Sequence, residues 1–400
     1  MFSRLNRAVA DNPSWTGGIS SLLRDALNDP ARLEAWKKQC IPIARAHFKQ
    51  WANLGQPVSL FRSVSALAMT LLLHIFMGTE FAETHAEELV PMVRAYEWAL
   101  QKPQVKVLPR WMSQEGKLLE AAEARMEQLI PEEIQKRAEN PGKYQKNVDW
   151  FQTLVTRIGR EDYEGGYPPP PSAAQACPNL TGTDFRAGFP LHILTVLNGG
   201  HTNQTNTFSW SLLHAVRTPL LETLRNQKSS DLLEATLRET GRVYTNLMMP
   251  RRVTITQEIC GHVIPKGSFI AASPLVTARD PVLFPDPDKF QPERWCTPAG
   301  TLDDYAIKTA QRMGTSIQFG KGQHACPGEK LVKMLLSIYW GVILGEDGEA
   351  GYDVEIVHGL VEGRGFDGVG VEAAWVEENL GTPFEKDGPL LVRFKERGNV

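Results

Sequence analysis

The sequence predicts a mostly α-helical α+β fold with small β-sheets. Helical periodicity dominates up to about residue 160, and a long helix is expected from Thr183 to Val216. Short β-like segments separated by turn residues follow after residue 250. No internal repeat interrupts this layout, so we expect a single domain over residues 1–400, with a Pro-rich surface loop at 161–182 whose four consecutive prolines exclude a helix or a central strand.

The first half should contain a series of helices. Asp29 is a suitable N-cap with Pro30 at the first helical position, and Pro42 should kink or interrupt that helix. Further helices are expected over 58–77, 84–101, 114–137 and 147–159. The apolar run at 66–78 is too short for a membrane span and contains His74, so it predicts a buried core helix.

The second half should mix helices and short strands. A shorter helix is expected to end near Tyr244, followed by β-like segments at 251–256, 258–264 and 268–273. Apolar periodicity predicts a further helix from Leu331 to Trp340, and the tail after residue 345 is Gly-rich and strand-like.

Composition and charge argue against a nucleic-acid-binding protein and against a disulfide scaffold. Hydrophobic residues make up 42% of the chain and charged residues 22%, which is ordinary for a globular protein. A net charge of −3 gives no reason to expect a nucleic-acid partner. The five cysteines are scattered and odd in number, which favours free thiols over a disulfide scaffold. No signal peptide or transmembrane segment is predicted in this chain.

The segment FGKGQHACPG at 319–328 carries the strongest chemical signal. Its glycines allow positive φ and close approach of another group, and Cys326 should lie just before a helix N-terminus, where a thiolate is favoured. A thiolate in a flat glycine loop can approach a large planar partner, and haem iron ligated by cysteine fits this description. A buried cysteine in a Gly-rich turn, or a thiol nucleophile, remains an alternative.

This segment resembles the haem-binding loop of the cytochrome P450 family, F-x-x-G-x-x-x-C-x-G, at Phe319, Gly322, Cys326 and Gly328. The resemblance implies the P450 fold and haem b (iron protoporphyrin IX) as cofactor. It makes Cys326 the axial ligand of the iron, with Phe319 and Gly322 as further cofactor-binding residues.

Other positions resemble the same family. Glu239 and Arg242 have its E-x-x-R spacing, and Arg294 matches the third member of its structural Glu-Arg-Arg network. Taken alone, the first two could be a local i,i+3 ion pair. Arg252 and His324 match positions that bind the haem propionates, although a solvated strand arginine and a loop histidine are the alternatives.

The polar stretch NGGHTNQT in the long helix resembles the oxygen-binding groove of the family. Gly199 and Gly200 would widen the helix beside the cofactor. Thr202, together with His201, is the implied catalytic residue and would help to deliver protons by relay. A helix kinked by two glycines and capped by a threonine is the alternative. His192 and Thr195, which precede Thr202 on this helix, and residues 246–249 after the E-x-x-R helix are candidates for the substrate pocket or for ordinary packing.

The His-Thr pair is similar in style to the sterol 14α-demethylase branch, and the motifs resemble eukaryotic, fungal-type members. The resemblance also implies an N-terminally shortened chain that lacks the N-terminal sheet and first helices. Trp15 has Ile19 where the family's Trp-x-x-x-Arg pair requires an arginine.

The resemblance implies a haem-dependent monooxygenase that inserts one atom of O₂ into a small apolar substrate, such as a terpenoid, a sterol or another secondary metabolite. Electrons would come from NADPH through NADPH–cytochrome P450 reductase, and the protein would be a monomer. A longer form would lie on the cytoplasmic side of the endoplasmic-reticulum membrane. Two alternatives remain: a haem-thiolate isomerase or dehydratase acting on a peroxide, and a non-catalytic, truncated haem-binding remnant.

Overall fold

The computed structural model describes residues 20–158, 182–244, 249–314, 318–322, 325–346, 348–358 and 390–398. The predicted loop at 161–182 lies outside these residues, except for its last position. Helices predominate in the described part. Their bounds are α1 Ser20–Asn28, α2 Pro30–Asn53, α3 Leu60–Met77, α4 Thr79–Gln101, α5 Gln104–Val107, α6 Gln114–Glu139, α7 Pro141–Tyr144, α8 Trp150–Ile158, α9 Gly182–Arg217, α10 Leu220–Gln227, α11 Ser230–Val243, α12 Pro274–Ala278, α13 Asp304–Met313 and α14 Glu329–Leu344, with 3₁₀ turns at Arg110–Met112 and Pro292–Trp295.

The strands form three small antiparallel sheets. Their bounds are β1 Val58–Ser59, β2 Met249–Arg252, β3 Gln257–Ile259, β4 His262–Ile264, β5 Phe269–Ala272, β6 Tyr352–His358 and β7 Leu391–Glu396. One sheet has the order β1-β7-β6, and the other two are the pairs β2-β5 and β3-β4. The predicted class, mostly helical with small sheets, is therefore confirmed.

Helix α2 begins as its sequence predicts, because the Asp29 carboxylate accepts a hydrogen bond from the N–H of Ala31 and Pro30 follows. It then continues through Pro42, so the predicted interruption is wrong. One face of the helix, formed by Trp36, Cys40, Ala44, Phe48 and Trp51, is buried along its whole length. Burial of this face outweighs the missing backbone hydrogen bond at the proline.

The segment predicted as one strand at 258–264 is instead the hairpin β3-β4. Cys260 and Gly261 form its turn with φ of 50° and 79°, the left-handed conformation that two-residue hairpin loops require. Strand β2 also ends at Arg252, earlier than predicted, and α14 begins two residues before Leu331.

Helix α3 is the centre of the hydrophobic core. It packs most extensively against α9 and α4, and its apolar residues are almost all buried. Among the described residues it is the one helix long and apolar enough to cross a membrane by length and composition, but 78% of it is buried inside the protein. The prediction of a buried core helix is therefore confirmed.

Candidate active site

The loop that carries Cys326 is closed by its own backbone. The N–H of Cys326 donates to the carbonyl of Phe319 at 2.7 Å, and the N–H of Ala325 donates to that of Gly322 at 3.0 Å. Gly320 and Gly322 both have a φ of 72°, a conformation that residues with a Cβ rarely adopt. The glycines at these two positions therefore permit the fold of the loop. Gln323 and His324 lie outside the described residues.

Cys326 is exposed to solvent, so a ligand could reach this residue. Protein surrounds enough of it that burial raises the pKa of Cys326, and the Glu329 carboxylate adds to this, although a hydrogen bond from the backbone of Gly328 acts in the opposite direction. The predicted thiolate at the N-terminus of α14 is therefore not favoured by the protein alone. Coordination of a metal ion would have to displace the proton.

The residues of the predicted Glu-Arg-Arg network lie in contact with one another. Glu239 is fully buried and accepts two hydrogen bonds from the guanidinium of Arg242, at 2.8 and 2.9 Å. Arg294 donates to the same carboxylate at 2.9 Å, as does the indole of Trp295. The backbone N–H of Gln291 adds a fifth bond at 3.0 Å. Three of the five bonds end on Oε1 and two on Oε2, so both oxygens of the buried charge are paired.

The network also holds the main chain around it. Arg242 donates to the carbonyls of Ala278 and Pro287, each at 2.7 Å, and its guanidinium lies 5.2 Å from the ring centre of Phe284. Arg279, which sequence reasoning missed, donates to the carbonyls of Val243 and Pro287. These bonds fix the segment between α12 and the 3₁₀ turn at Pro292–Trp295 against α11.

Helix α11 also touches the segment that leads into the cysteine loop. A Cβ added at Gly241 would lie only 1.6 Å from Oε1 of Gln318, the residue before Phe319. The network helix therefore contacts the residue that leads into the cysteine loop, and a side chain at position 241 would require the Gln318 side chain to move.

The two glycines of α9 have different surroundings. A Cβ added at Gly200 would lie 3.1 Å from a methyl group of Leu72 on α3, so this glycine allows the two helices to approach closely. Nothing lies within 4 Å of a Cβ added at Gly199, which is exposed. Gly199 is therefore the position at which the helix borders open space.

His201 and Thr202 share one carboxylate, that of Glu97 on α4. The Thr202 hydroxyl donates to Oε1 of Glu97, and Nδ1 of His201 contacts Oε2. Nε2 of His201 lies 2.8 Å from Oγ of Ser65 and 3.1 Å from its carbonyl oxygen. Because a carbonyl can only accept, we place a hydrogen on Nε2, so the contact between Nδ1 and Glu97 needs a further proton, held by the imidazole or by the carboxylic acid.

Sequence reasoning missed Glu97, although a signal was present. Leu89 and Val93 precede it at helical spacing and are fully buried, so Glu97 continues an apolar stripe as its one acidic member. A charged residue on a buried helix face requires a partner. Which residue would provide it could not be read from the sequence.

The remaining predicted positions differ in their surroundings. Arg252 is exposed at the end of β2, opposite Phe269 of β5. His192 is buried and accepts a hydrogen bond from the indole of Trp150 at 2.9 Å, which favours the packing alternative over a substrate pocket. Thr195 is exposed, and its hydroxyl donates to the carbonyl of Leu191.

One family of known proteins, described as cytochrome P450, has a sequence model that matches residues 2–346. The chain belongs to the cytochrome P450 family. The predicted membership of this family is thereby confirmed. A solved P450 structure, a cyanobacterial CYP120A1 with bound retinoic acid, is similar over 95% of this chain and 79% of that one, with a TM-score of 0.70 and 20% identity.

Similar curated proteins include a cytochrome P450 monooxygenase, pynD, from Aspergillus niger, which is 25% identical over 334 residues. That alignment covers 79% of this chain and 64% of the relative. A sterol 14α-demethylase from Mycolicibacterium vanbaalenii is 27% identical over 248 residues, which cover 58% of this chain and 49% of that protein. This P450 chain thus spans less than two thirds of the length of the fungal relative.

Membership of the family implies a haem, and the described residues fit such a group. The thiol of Cys326 is a soft donor of the kind that binds haem iron, and it reaches solvent from a glycine-rich loop. The open space beside Gly199 could admit a bulky ligand next to α9. The fit is therefore supported on the thiol side and at the glycines of the central helix.

Proposed function

We propose that this P450 is a haem-dependent monooxygenase that inserts one oxygen atom from O₂ into an apolar substrate. The observation that carries the proposal is the Cys326 thiol, which reaches solvent from a loop held against the buried Glu239 network through Gly241 and Gln318. Cys326 would hold the iron. A bound haem would supply the activation of dioxygen, and the protein would supply the ligand, the pocket and the protons.

The residues of the chain would hold and move protons at defined atoms. The hydroxyl of Thr202 donates to Glu97, so it can pass a proton outward only when Glu97 or His201 returns one to it. His201 can do so through the same carboxylate, because Nδ1 contacts the other oxygen of Glu97. The three groups would therefore act as a short proton relay. This arrangement favours oxygen reduction over rearrangement of a peroxide, which needs no such relay.

The substrate would be small and largely apolar. Candidates are a terpenoid, a sterol or another secondary metabolite. Relatives named for a sterol and a flavonoid, the sterol 14α-demethylase and a flavonoid 3′-monooxygenase from Arabidopsis thaliana, support a ring-containing molecule. Electrons would come from NADPH through NADPH–cytochrome P450 reductase. Arg252 and His324 would bind the haem propionates, and the protein would act as a monomer.

The decisive experiment replaces the proposed ligand. The Cys326→Ser protein should fold but lose the absorption band of the reduced carbon monoxide complex that gives the family its name. Cys260→Ser is the matched control, because Cys260 is also exposed but lies in the β3-β4 turn. An unchanged band in the Cys326→Ser protein would disprove the proposal. Consumption of NADPH with a reductase would separate a monooxygenase from a peroxide isomerase, and a haem-free wild-type chain would indicate a remnant.

We further propose that the protein works at a membrane surface, which it contacts through the connection between α4 and α6. Large apolar side chains are exposed there, namely those of Trp98, Val107, Leu108, Trp111 and Met112. Lys102 and Lys106 lie among them, and residues 98–112 contain no acidic residue. Tryptophan and basic residues together suit the interface of an anionic bilayer. The cytoplasmic side of the endoplasmic reticulum would be the location in a longer form.

This surface can be tested with vesicles. Trp111, 68% exposed, should enter the bilayer, so Trp111→Ser should weaken flotation with vesicles of phosphatidylcholine and phosphatidylserine. Val282→Ser is the control, because Val282 is 88% exposed elsewhere. Equal flotation of the two variants would contradict the proposal, as would wild-type protein that does not prefer anionic vesicles over neutral ones.

A further inference from the structure

A buried chain of side-chain hydrogen bonds joins the glycines of α9 to α14. The hydroxyl of Tyr339 donates to Oε1 of Gln204 at 3.0 Å, and Nε2 of Gln204 donates to the carbonyl of Gly200 at 2.9 Å. Tyr339 and Gln204 are both fully buried. This chain of hydrogen bonds therefore starts on the helix that follows the cysteine loop and ends at the carbonyl of Gly200.

The direction of these bonds is fixed by their chemistry. The Gly200 carbonyl can only accept, so the amide nitrogen of Gln204 must face it, and Oε1 must then face Tyr339. The hydroxyl of Tyr339 must donate its hydrogen, because Oε1 of Gln204 can only accept. Because both polar groups are far from water, loss of either leaves the other unsatisfied, which is costly in a protein interior.

We propose that Tyr339 and Gln204 are positioning residues that fix the Gly199–Gly200 segment of α9 relative to the helix that follows Cys326. The inference deepens the proposed function, on which its haem-dependent part rests. A shift of this segment relative to the cysteine loop would change the open space beside Gly199. The hydrogen bonds link Gly200 to α14 through the side chain of Gln204, four residues further along α9.

A second bond between the same two helices provides a matched comparison. The indole of Trp340 donates to Oγ of Ser211 at 3.2 Å, and Ser211 donates to the carbonyl of Phe208. Both partners are fully buried. This bond therefore joins α9 to α14 at equal depth, about two turns beyond Gln204 and away from the glycines.

The experiment compares Tyr339→Phe with Ser211→Ala by hydrogen exchange in the full chain. In Tyr339→Phe, amides at 200–204 should exchange about tenfold faster than in wild type, because Oε1 of Gln204 is left buried without a donor and this part of α9 is no longer bonded to α14. Ser211→Ala should leave these amides unchanged and affect only those near 211. Equal exchange at 200–204 in the two variants would overturn the inference. If Tyr339→Phe does not fold, the double variant Tyr339→Phe/Gln204→Leu, which removes both polar groups, provides the same comparison.

A second readout uses the haem-loaded protein. The infrared stretch of carbon monoxide bound to the reduced protein should shift or broaden in Tyr339→Phe and stay unchanged in Ser211→Ala. An identical stretch in Tyr339→Phe and wild type would count against the inference. A wild-type chain that takes up no haem would instead refute the proposed function, and the exchange comparison would still decide whether the two residues position the Gly199–Gly200 segment.

Discussion

Glu239 is the residue whose surroundings say most about how this chain holds its cysteine loop. It is fully buried, it lies between two guanidinium groups, and its helix touches the loop through Gly241. Such a group adds little net stability relative to an apolar replacement, but loss of one member leaves buried charges without a partner. The members of the network therefore depend on one another, and together they hold the segment around Ala278 and Pro287 against α11.

We expect Glu239→Gln to lower the free energy of unfolding by about 3–5 kcal/mol, because Arg242 and Arg294 would lose their counter-charge. Urea denaturation measures this change. The control is Asp304→Asn, which breaks an exposed pair with Lys308 at 3.2 Å and should cost less than about 1 kcal/mol. Equal losses of unfolding free energy in the two variants would contradict this account of the Glu239 network.

At the scale of elements, helix α9 both packs in the core and borders open space at its centre. Its 36 residues cross the core, and Gly199 and Gly200 interrupt the row of side chains at its centre. Gly200 allows contact with Leu72 of α3, whereas Gly199 borders open space. The neighbours of each glycine therefore decide whether it allows two helices to pack closely or leaves room for a ligand.

The two glycines should respond oppositely to alanine. Gly199→Ala should stabilise the protein by about 0.5–1 kcal/mol, because alanine is the better helix former and its methyl group meets nothing. Gly200→Ala should gain little or lose stability, because its methyl group would lie 3.1 Å from Leu72. Thermal unfolding measures both.

The Gly199→Ala variant also tests whether the open space beside α9 belongs to the haem site. The added methyl group of Gly199→Ala should lower the affinity of the haem-loaded protein for carbon monoxide, measured by titration, since it fills the open space. Unchanged affinity together with higher stability would mean that Gly199 has no part in the site.

At the scale of the molecule, one large hydrophobic cluster takes residues from both halves of the chain, from Ala26 to Phe394. A smaller cluster, formed by Ala235, Phe284, Trp295 and Ile307, surrounds the Glu239 network. We therefore expect the described elements to unfold as a single domain. The large cluster also encloses histidines, and these make the stability of the whole protein depend on pH.

Burial lowers the pKa of His192 to about 4 and that of His214 to about 3. In the unfolded chain these groups titrate near 6.5, so below that pH the unfolded state binds protons that the native state does not. Stability should be greatest above pH 6.5. It should fall by about 1.4 kcal/mol per pH unit and histidine as the pH drops toward 4.

The variant His192→Gln isolates one of these groups, because glutamine can still accept from Trp150 but does not titrate. Its unfolding free energy, measured in urea at pH 7.5, 6 and 5, should fall less steeply with decreasing pH than that of wild type. The control His262→Gln, at an exposed position on β4, should leave the slope unchanged. A His192→Gln protein with the wild-type slope would refute this account.

The sequence by itself determined the family, the mostly helical class and the residues of the cysteine loop. These depend on short-range patterns: positive φ at Gly320 and Gly322, the i,i+3 spacing of Glu239 and Arg242, and the periodicity of apolar side chains. Even the error at Pro42 was local, because the cost of a proline is a local quantity while the burial that overcomes it is not.

Only the tertiary structure decided the partners of those residues. Glu97 meets His201 and Thr202 from another helix, Gln204 links Gly200 to Tyr339, and protein around Cys326 raises the pKa of its thiol. The sequence could show that a buried acid needs a proton donor, but not which one. Hydrogen bonds and desolvation act over a few ångströms in space, and the chain brings residues more than a hundred positions apart within that range only by folding.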